Sequence, residues 1–426
     1  MIGLILFALA LTLLFFGYSV AFTFAGVSLI VGAIFMSVDL FEFMPYRIMS
    51  IMENTVLMAV PMFIFMGVVL QKSGLAERLL ESMGKLFGGI SGGVAISTVV
   101  VGTFLAASTG VVGASVVAMG VIALPVMIKH NYHQPTATGV ICAAGTLGQI
   151  VPPSIILIIL GDVMGIPVGD LFKAALVPSM LLVLSYIVYL LLLGRVKPHY
   201  LPPVPTEGPL GPLVVRALLD ILPTLFLILA VLGSIFAGIA TPTESAALGG
   251  VGSLVLAAIY RSLTIKNIMD ASLETVKVTS MVFAVLLGAT AFSMVFSYSG
   301  GDHLVADFML DLPGEKWTFI AISMIAILIL GFFIDFIEIA FIVVPIITPI
   351  AYAMGIDMVW FAILIAMNLQ TSFLTPPFGF SLFYLKGVAP PEVSTLTIYK
   401  GVIPFILIQM LVLGIIIAFP GTFVIS

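Results

Sequence analysis

The chain has 426 residues, of which 62% are hydrophobic and 8% charged, with a mean hydropathy of +1.31 and a net charge of −5. A soluble fold of this length could not hide that much apolar surface, and long uncharged runs recur from end to end, so the composition reads as an all-α polytopic membrane protein. Transmembrane β-barrels alternate apolar and polar residues in short segments, and this chain does not. The net charge selects no partner class, and nothing points to nucleic acid.

In chain order, the uncharged opening Met1–Val38 is too long for one crossing and lacks the basic start of a cleaved signal peptide, which predicts two helices, 2–17 and 20–36, turning near Gly17-Tyr18-Ser19. A helix at 55–71 and a polar amphipathic piece, Lys72 to Phe87, follow. The uncharged run 88–128 is divided by Ser108-Thr109-Gly110. Two full crossings would put those residues in a turn with no hydrophilic loop, so the run reads as a re-entrant hairpin with its tip there. Such backbone survives at membrane depth only when protein or a cavity covers it. A helix broken at Pro152-Pro153 (134–160) and a last helix (174–194) complete this part. After the linker KPHYLPPVPTEGPLGP come helices at 217–240, 245–260 and 278–298 and an acidic piece, Ser299 to Lys316. A second hairpin (317–352, tip near Ile334-Asp335-Phe336), a helix broken at Pro376-Pro377 (358–384) and a final helix (401–419) end the chain.

The succession occurs twice. The interval of 224 positions from Pro152 to Pro376 also separates Pro125 from Pro349. We read residues 1–200 as a first repeat with its hairpin at about 88–128, 201–212 as a cytoplasmic linker, and 213–426 as a second repeat. Five crossings per repeat make about ten plus two re-entrant hairpins, and an odd number requires the second repeat to enter inverted. With the linker inside, Lys72, Arg78, Lys85, Lys129, Arg195, Lys197, Arg216, Arg261, Lys266, Lys277, Lys386 and Lys400 face the cytoplasm, and only Arg47, Lys173 and Lys316 lie outside. Met1 and Ser426 then face out. Paired halves with interrupted helices are the pattern of secondary transporters, with the site at the interruptions.

Proline cannot donate to the carbonyl four residues back, so the two pairs free the carbonyls of Gly148 and Gln149, and of Ser372 and Phe373. Each needs a partner in lipid. Either water and neighbouring hydroxyls repair the break, or a hard cation such as Na⁺ uses the oxygens. Thr146 and Ser154 lie by the first break, Thr371 and Thr375 by the second, and the tips bring Ser108, Thr109 and Asp335. Two matched breaks, each beside a hairpin, favour two cation sites with anion-binding helix N-termini between them. The same tips and breaks offer Ser108, Thr109, Ser154, Thr371 and Asp335 to a substrate anion. Asp335 and Glu338 share a helical face and could bind a cation or proton, or brace the hairpin. Glu244 reads as a helix cap. All five arginines sit at predicted helix ends, so an anion would meet backbone N–H groups and hydroxyls. Cys142, the single cysteine, excludes an internal disulfide and reads as a small buried residue. His130 and His133 lack the acids or cysteines of a metal site. There is no phosphate-binding GxxxxGK[ST] loop and no catalytic constellation, so we read no enzyme and no ATP-driven pump.

Four stretches, ATPTESAALG (240–249), QIVPPSIILIILG (149–161), GFFIDFIEIAFIVVPIITPI (331–350) and LTPPFGFSLFYLKG (374–387), resemble the large membrane subunit of TRAP transporters, the tripartite ATP-independent periplasmic systems. The resemblance covers essentially the whole chain. It implies an elevator-type Na⁺ symporter of the bacterial inner membrane, with a scaffold and a mobile transport domain. It implies a small four-helix membrane subunit and a periplasmic solute-binding protein as partners, and a small anionic substrate such as a dicarboxylate or sugar acid, sialic acid included. It places one Na⁺ site at Ser108, Thr109 and Gly110 with Gly145, Thr146, Gly148, Gln149 and Pro152. The other falls at Gly331 and Asp335 with Gln370, Thr371, Ser372, Phe373 and Thr375. A stand-alone sodium/anion symporter of the related hairpin-containing superfamily would share the architecture. An intramembrane serine protease would need a base at membrane depth near Ser108, and the sequence has no histidine there.

Overall fold

The computed structural model describes residues 2–204 and 209–421; Met1, Ser426 and part of the linker, whose sidedness was expected above, lie outside the described residues. All regular secondary structure among the described residues is helical. Among the described residues, seven helices are by length and composition apolar enough to cross a membrane, or eight if one bent pair is a single span. Shorter apolar helices stand beside them, so the chain is a multi-pass membrane protein.

The first half opens with α1 (Ile2–Phe15) and α2 (Val20–Phe35), turning at Gly17 as the sequence implied. A 3-10 stretch (Val38–Phe43) and the short α3 (Met44–Met52) occupy the segment expected to be an outer loop; Arg47 therefore lies inside a helix rather than at a helix end. Helix α4 (Ala59–Lys72) bends by 59° into α5 (Leu75–Phe87) at Ser73-Gly74, where Gly74 takes a positive φ. One face of α5 is buried (Leu75, Leu79, Met83) while Glu77, Glu81 and Lys85 look outward, as in an interfacial helix. The first hairpin is α6 (Gly93–Thr109) and α7 (Val112–Lys129), the first broken helix α8 (Gln134–Thr146) and α9 (Ile155–Met164), and the closing helix α10 (Val168–Val196).

The second half repeats the order: α11 (Leu210–Phe236), α12 (Pro242–Ile259), α13 (Ile265–Tyr298), α14 (Gly301–Leu310). Its hairpin is α15 (Glu315–Leu330) followed, past a turn, by the single turn α16 (Phe336–Glu338), a π-helical stretch (Ile339–Val343) and α17 (Val344–Ala353). The broken helix is α18 (Met358–Leu374) and α19 (Phe380–Val388), and α20 (Thr395–Ala418) closes the chain. Helix α12 starts at Pro242, not near 245. Thr241 is the N-cap and Glu244 completes its capping box, which is the capping role foreseen for Glu244. Helix α13 is longer than its apolar part suggested. Its 34 residues span about 51 Å against a hydrocarbon core of about 30 Å, so its first turns, with Lys266, Glu274 and Lys277, stand beyond the apolar layer.

Pairing follows the same exchange in both halves. Helix α4 packs on α12 and α2 on α13; the broken α8 packs on α20 and the broken α18 on α10. The hairpins and broken helices thus form one body, and α1, α2, α4, α11, α12 and α13 another beside it. At one end, the chain after α10 folds back over the open end of hairpin 1. Gly92 N–H donates to Leu201 O, Val204 N–H to Gly88 O, and His133 N–H to Tyr200 O (2.8 Å). The His133 ring stacks on Tyr200 at 4.0 Å.

Candidate functional site

Each hairpin tip lies against the break of its own half. Hairpin 1 turns in two residues, Gly110-Val111, with Gly110 at φ +60°. A Cβ on Gly148 would stand 2.9 Å from the Ala106 carbonyl oxygen, and one on Gly110 would stand 2.9 Å from Ile155, so tip 1 touches both sides of the first break. Hairpin 2 needs the five residues 331–335 to turn. There a Cβ on Gly331 would run into the Ser372 hydroxyl, and the Phe336 and Phe373 rings lie 5.8 Å apart. The halves then interlock: the 3-10 turn Leu147–Gln149 packs against α18, and α19 packs against α7 and α8. Tip 1 thus meets the first break at Ala106, Gly110, Gly148 and Ile155, tip 2 meets the second at Gly331, Phe336, Ser372 and Phe373, and α18 and α19 link the two junctions.

Three of the four freed carbonyls have partners. Gln149 O accepts the Ser154 hydroxyl (2.7 Å), Phe373 O accepts the Ser381 hydroxyl (2.8 Å), and Ser372 O accepts Thr375 N–H (3.1 Å). The repair reading thus holds for these three, though a carbonyl keeps a second lone pair for a cation. Ser381 was not anticipated, because it lies eight residues past the carbonyl it caps. The side-chain hydroxyls also donate to backbone: Ser108 to Leu105 O, Thr146 to Ala143 O, Thr371 to Met367 O, Thr375 to Thr371 O. A hydroxyl whose hydrogen is so engaged presents only lone pairs elsewhere, the orientation a cation requires. Thr109 and Ser115 share a hydrogen bond of 2.8 Å across tip 1, which brings in Ser115, a residue the sequence did not mark.

The strongest signal is one that spacing could not give. Gln149 and Gln370 are each 1% exposed, and neither the oxygen nor the nitrogen of either carboxamide has a hydrogen-bond partner among the described residues. Four orphaned amide atoms at two junctions are costly, on the order of 1–3 kcal/mol for each buried group left unmet. Such groups persist where something else completes them. The oxygens suit a cation; the N–H groups suit water or a substrate carboxylate. Asp335 caps the turn that follows it, its Oδ1 accepting Phe336 N–H at 2.6 Å, and Glu338 is buried with Oε2 unpartnered. No set of three or more His, Cys, Asp or Glu that could hold a metal occurs among the described residues, so any cation here is held by neutral oxygens with at most the Asp335 and Glu338 carboxylates. Cys142 is fully buried, its Sγ 3.7 Å from Ser381 O.

Two helical hairpins laid against two broken helices give this membrane protein a fold known from a transporter. The solved structure of the YdaH transporter of Alcanivorax borkumensis shares it, with a TM-score of 0.64 over 100% of both chains at 14% identity. Sequence comparison goes further. The profile described as "Tripartite ATP-independent periplasmic transporter, DctM component" matches residues 7–422, and the chain belongs to this family of TRAP transporter large permeases. Among curated relatives, the C4-dicarboxylate TRAP transporter large permease protein DctM of Pseudomonas aeruginosa is 32% identical over 87% of this chain and 85% of its own length. The sialic acid TRAP transporter large permease protein SiaM of Vibrio cholerae is 28% identical over 96% and 95%. The isethionate TRAP transporter permease protein DctMQ of Oleidesulfovibrio alaskensis is 30% identical over 84% of this chain and 56% of its own length.

Proposed function

We propose that this chain is the transport subunit of a Na⁺-coupled importer of a small organic anion, delivered by a periplasmic solute-binding protein, in the bacterial inner membrane. The observation that carries the reading is the pair of tip-and-break junctions with their orphaned carboxamides, Gln149 and Gln370. Na⁺ takes the hydroxyl and carbonyl oxygens of Ser108, Thr109, Gly145, Thr146 and Gln149 at one junction and those of Asp335, Gln370, Thr371, Ser372 and Thr375 at the other. The anion lies between them, on Ser108, Thr109, Ser154 and Thr371, and its charge is balanced by the bound cations rather than by arginine. Relatives named for C4-dicarboxylate, sialic acid and isethionate support an organic anion without choosing among its classes.

The element order supports two inverted repeats of five crossings each, with the 195–216 linker in the cytoplasm. The hairpin body is the moving domain of an elevator, and the paired α2–α13 and α4–α12 belong to its scaffold. A small four-helix subunit packs along the scaffold's apolar outer face. The relative named DctMQ, only 56% of which this chain matches, agrees with a second component of that kind. The binding protein docks on the outer surface, on residues 37–53, 161–172 and 299–316 with their acidic groups.

Reconstitution in liposomes tests this. Uptake is expected to need all three proteins and an inward Na⁺ gradient, and Asp307→Lys or Asp311→Lys should impair uptake without lowering folded yield. Uptake by this chain alone would overturn the tripartite assignment in favour of a stand-alone symporter. Labelling of a single cysteine at position 203, in a Cys142→Ser background, by an impermeant reagent from the periplasm would overturn the topology.

A further inference from the structure

Hairpin 2 holds a charge that the cation sites above leave unused. From Trp317 to Leu385 the chain contains no Lys, Arg or His, yet two carboxylates stand three residues apart, Asp335 half-buried and Glu338 buried. The ion pairs among the described residues, Lys72–Glu274 and Lys85–Glu81, are far along the chain from both. Asp335 is turned to the tip, where its Oδ1 caps Phe336. Glu338 is 6% exposed, and its Oε2 has no partner among the described residues. It closes α16, which packs against α13 of the scaffold and α9 of the first broken helix. Directly after it the helix widens into the π stretch Ile339–Val343, a distortion found most often at functional sites. Moved back by the repeat interval, the two positions are Val111 and Ala114, so the first half has no counterpart.

Carboxylates in a membrane interior without a basic residue are neutralised by a proton or by a cation from outside the protein, because burying uncompensated charge is costly. The Na⁺ proposed above for the second junction serves Asp335. We propose that Glu338 carries a further Na⁺ position behind tip 2, on the side of α13 and α9, so that the second half binds two Na⁺ and the first half one. The proposal rests on the Na⁺-coupled reading above. It makes Glu338 a ligand that helps set the number of ions carried per substrate, and it puts that ion on the face along which hairpin 2 meets the scaffold.

The test counts ions. Radiolabelled ²²Na⁺ binding to the purified complex of this chain with its small subunit is measured for the wild type and for Glu338→Gln, which keeps the shape and removes the charge. The expected result is one Na⁺ fewer per chain in the variant and a lower Hill coefficient for Na⁺ in reconstituted uptake. An unchanged count with unchanged cooperativity overturns the proposal while leaving the Na⁺-coupled reading intact. Absence of Na⁺ binding by the wild type would instead remove that reading and this proposal with it. Should Glu338→Gln fail to fold, Glu338→Asp keeps the charge on a shorter arm: the count should hold while half-saturation of one Na⁺ rises about tenfold, and an unaltered binding curve overturns the proposal.

Discussion

The two hairpin tips have one plan and different electrostatics. Tip 1 turns in two residues between unbroken α-helices, and its polar atoms are hydroxyls, Ser108, Thr109 and Ser115, satisfied within the hairpin. Tip 2 needs five residues, leads into a π stretch, and places Asp335 and Glu338 where tip 1 has no charge. The two halves thus share an arrangement that brings a tip to a break, while the chemistry at each junction differs. A neutral junction can let an ion go at little electrostatic cost. A carboxylate junction, in a stretch without basic residues, binds more firmly and depends on the ion for its own stability.

The largest expected effect breaks this contrast at the charge. Asp335→Asn removes a charged ligand, worth ~3 kcal/mol or more, and should raise the Na⁺ concentration for half-maximal uptake by about 100-fold. Ser108→Ala at the neutral tip removes one hydroxyl oxygen among several, and a rise of about fivefold is expected, ~1 kcal/mol. Equal effects at the two tips would erase the difference between them.

The carboxamides sharpen the comparison in the opposite sense. Gln149→Leu and Gln370→Leu each replace an orphaned buried amide with a similar apolar volume. Each variant should therefore be more stable than the wild type in Na⁺-free buffer, by ~1–3 kcal/mol, and should lose the stabilisation that Na⁺ gives the wild type. Thermal unfolding with and without Na⁺ reads both. A variant less stable than the wild type in the Na⁺-free buffer would show that the amides are already satisfied.

Two close approaches compare tip against scaffold with tip against break. A Cβ at Gly67 of α4 would run into Thr109 Cα and the Ser108 carbonyl, backbone that cannot yield without moving tip 1. At Gly331 the obstacle is the Ser372 hydroxyl, a side chain. Gly67→Ala should therefore slow uptake more than Gly331→Ala, with an overpacking cost of ~1–3 kcal/mol against less than that. Initial uptake rates normalised to folded protein decide it.

The smallest effect concerns the end of hairpin 1 away from its tip. Burial first, then the neighbouring Lys197 and His199, hold His133 below its ordinary value of 6.5, so the folded linker favours the neutral ring. Its contribution is present in full above 6.5 and is lost as the pH falls through 6.5 toward the lowered value, because a His133 released from the linker binds the proton more readily. The protection factors of the Tyr200 and Leu201 amides, with the intrinsic pH dependence of exchange divided out, should fall several-fold from about pH 7.5 to 5.5, and His133→Gln should flatten that dependence. Residues 389–394 after α19 contain no histidine, so their amides should show no such change.

Much of this protein was legible along the chain. A membrane interior forces backbone to be helical or covered, so uncharged runs, a Ser-Thr-Gly interruption and two Pro-Pro pairs were enough to give hairpins, breaks and their order, most to within a few residues. Polar, partly apolar segments misled the reading: α3 hides in an expected loop, and α13 continues through Lys266, Glu274 and Lys277 because a helix need not stop where the lipid does. The carbonyls freed at the two breaks were legible for the same reason, since they must lie near the prolines that free them. What only the tertiary structure decided is which of those groups are left over. Ser154 and Ser381 take carbonyls that the sequence left open, while Gln149 and Gln370, placed at the cation sites by resemblance alone, and Glu338 end with buried atoms unmatched. Hydrogen-bond satisfaction depends on every neighbour in three dimensions, so the local pattern can place a polar atom, and only the packed fold can leave it without a partner.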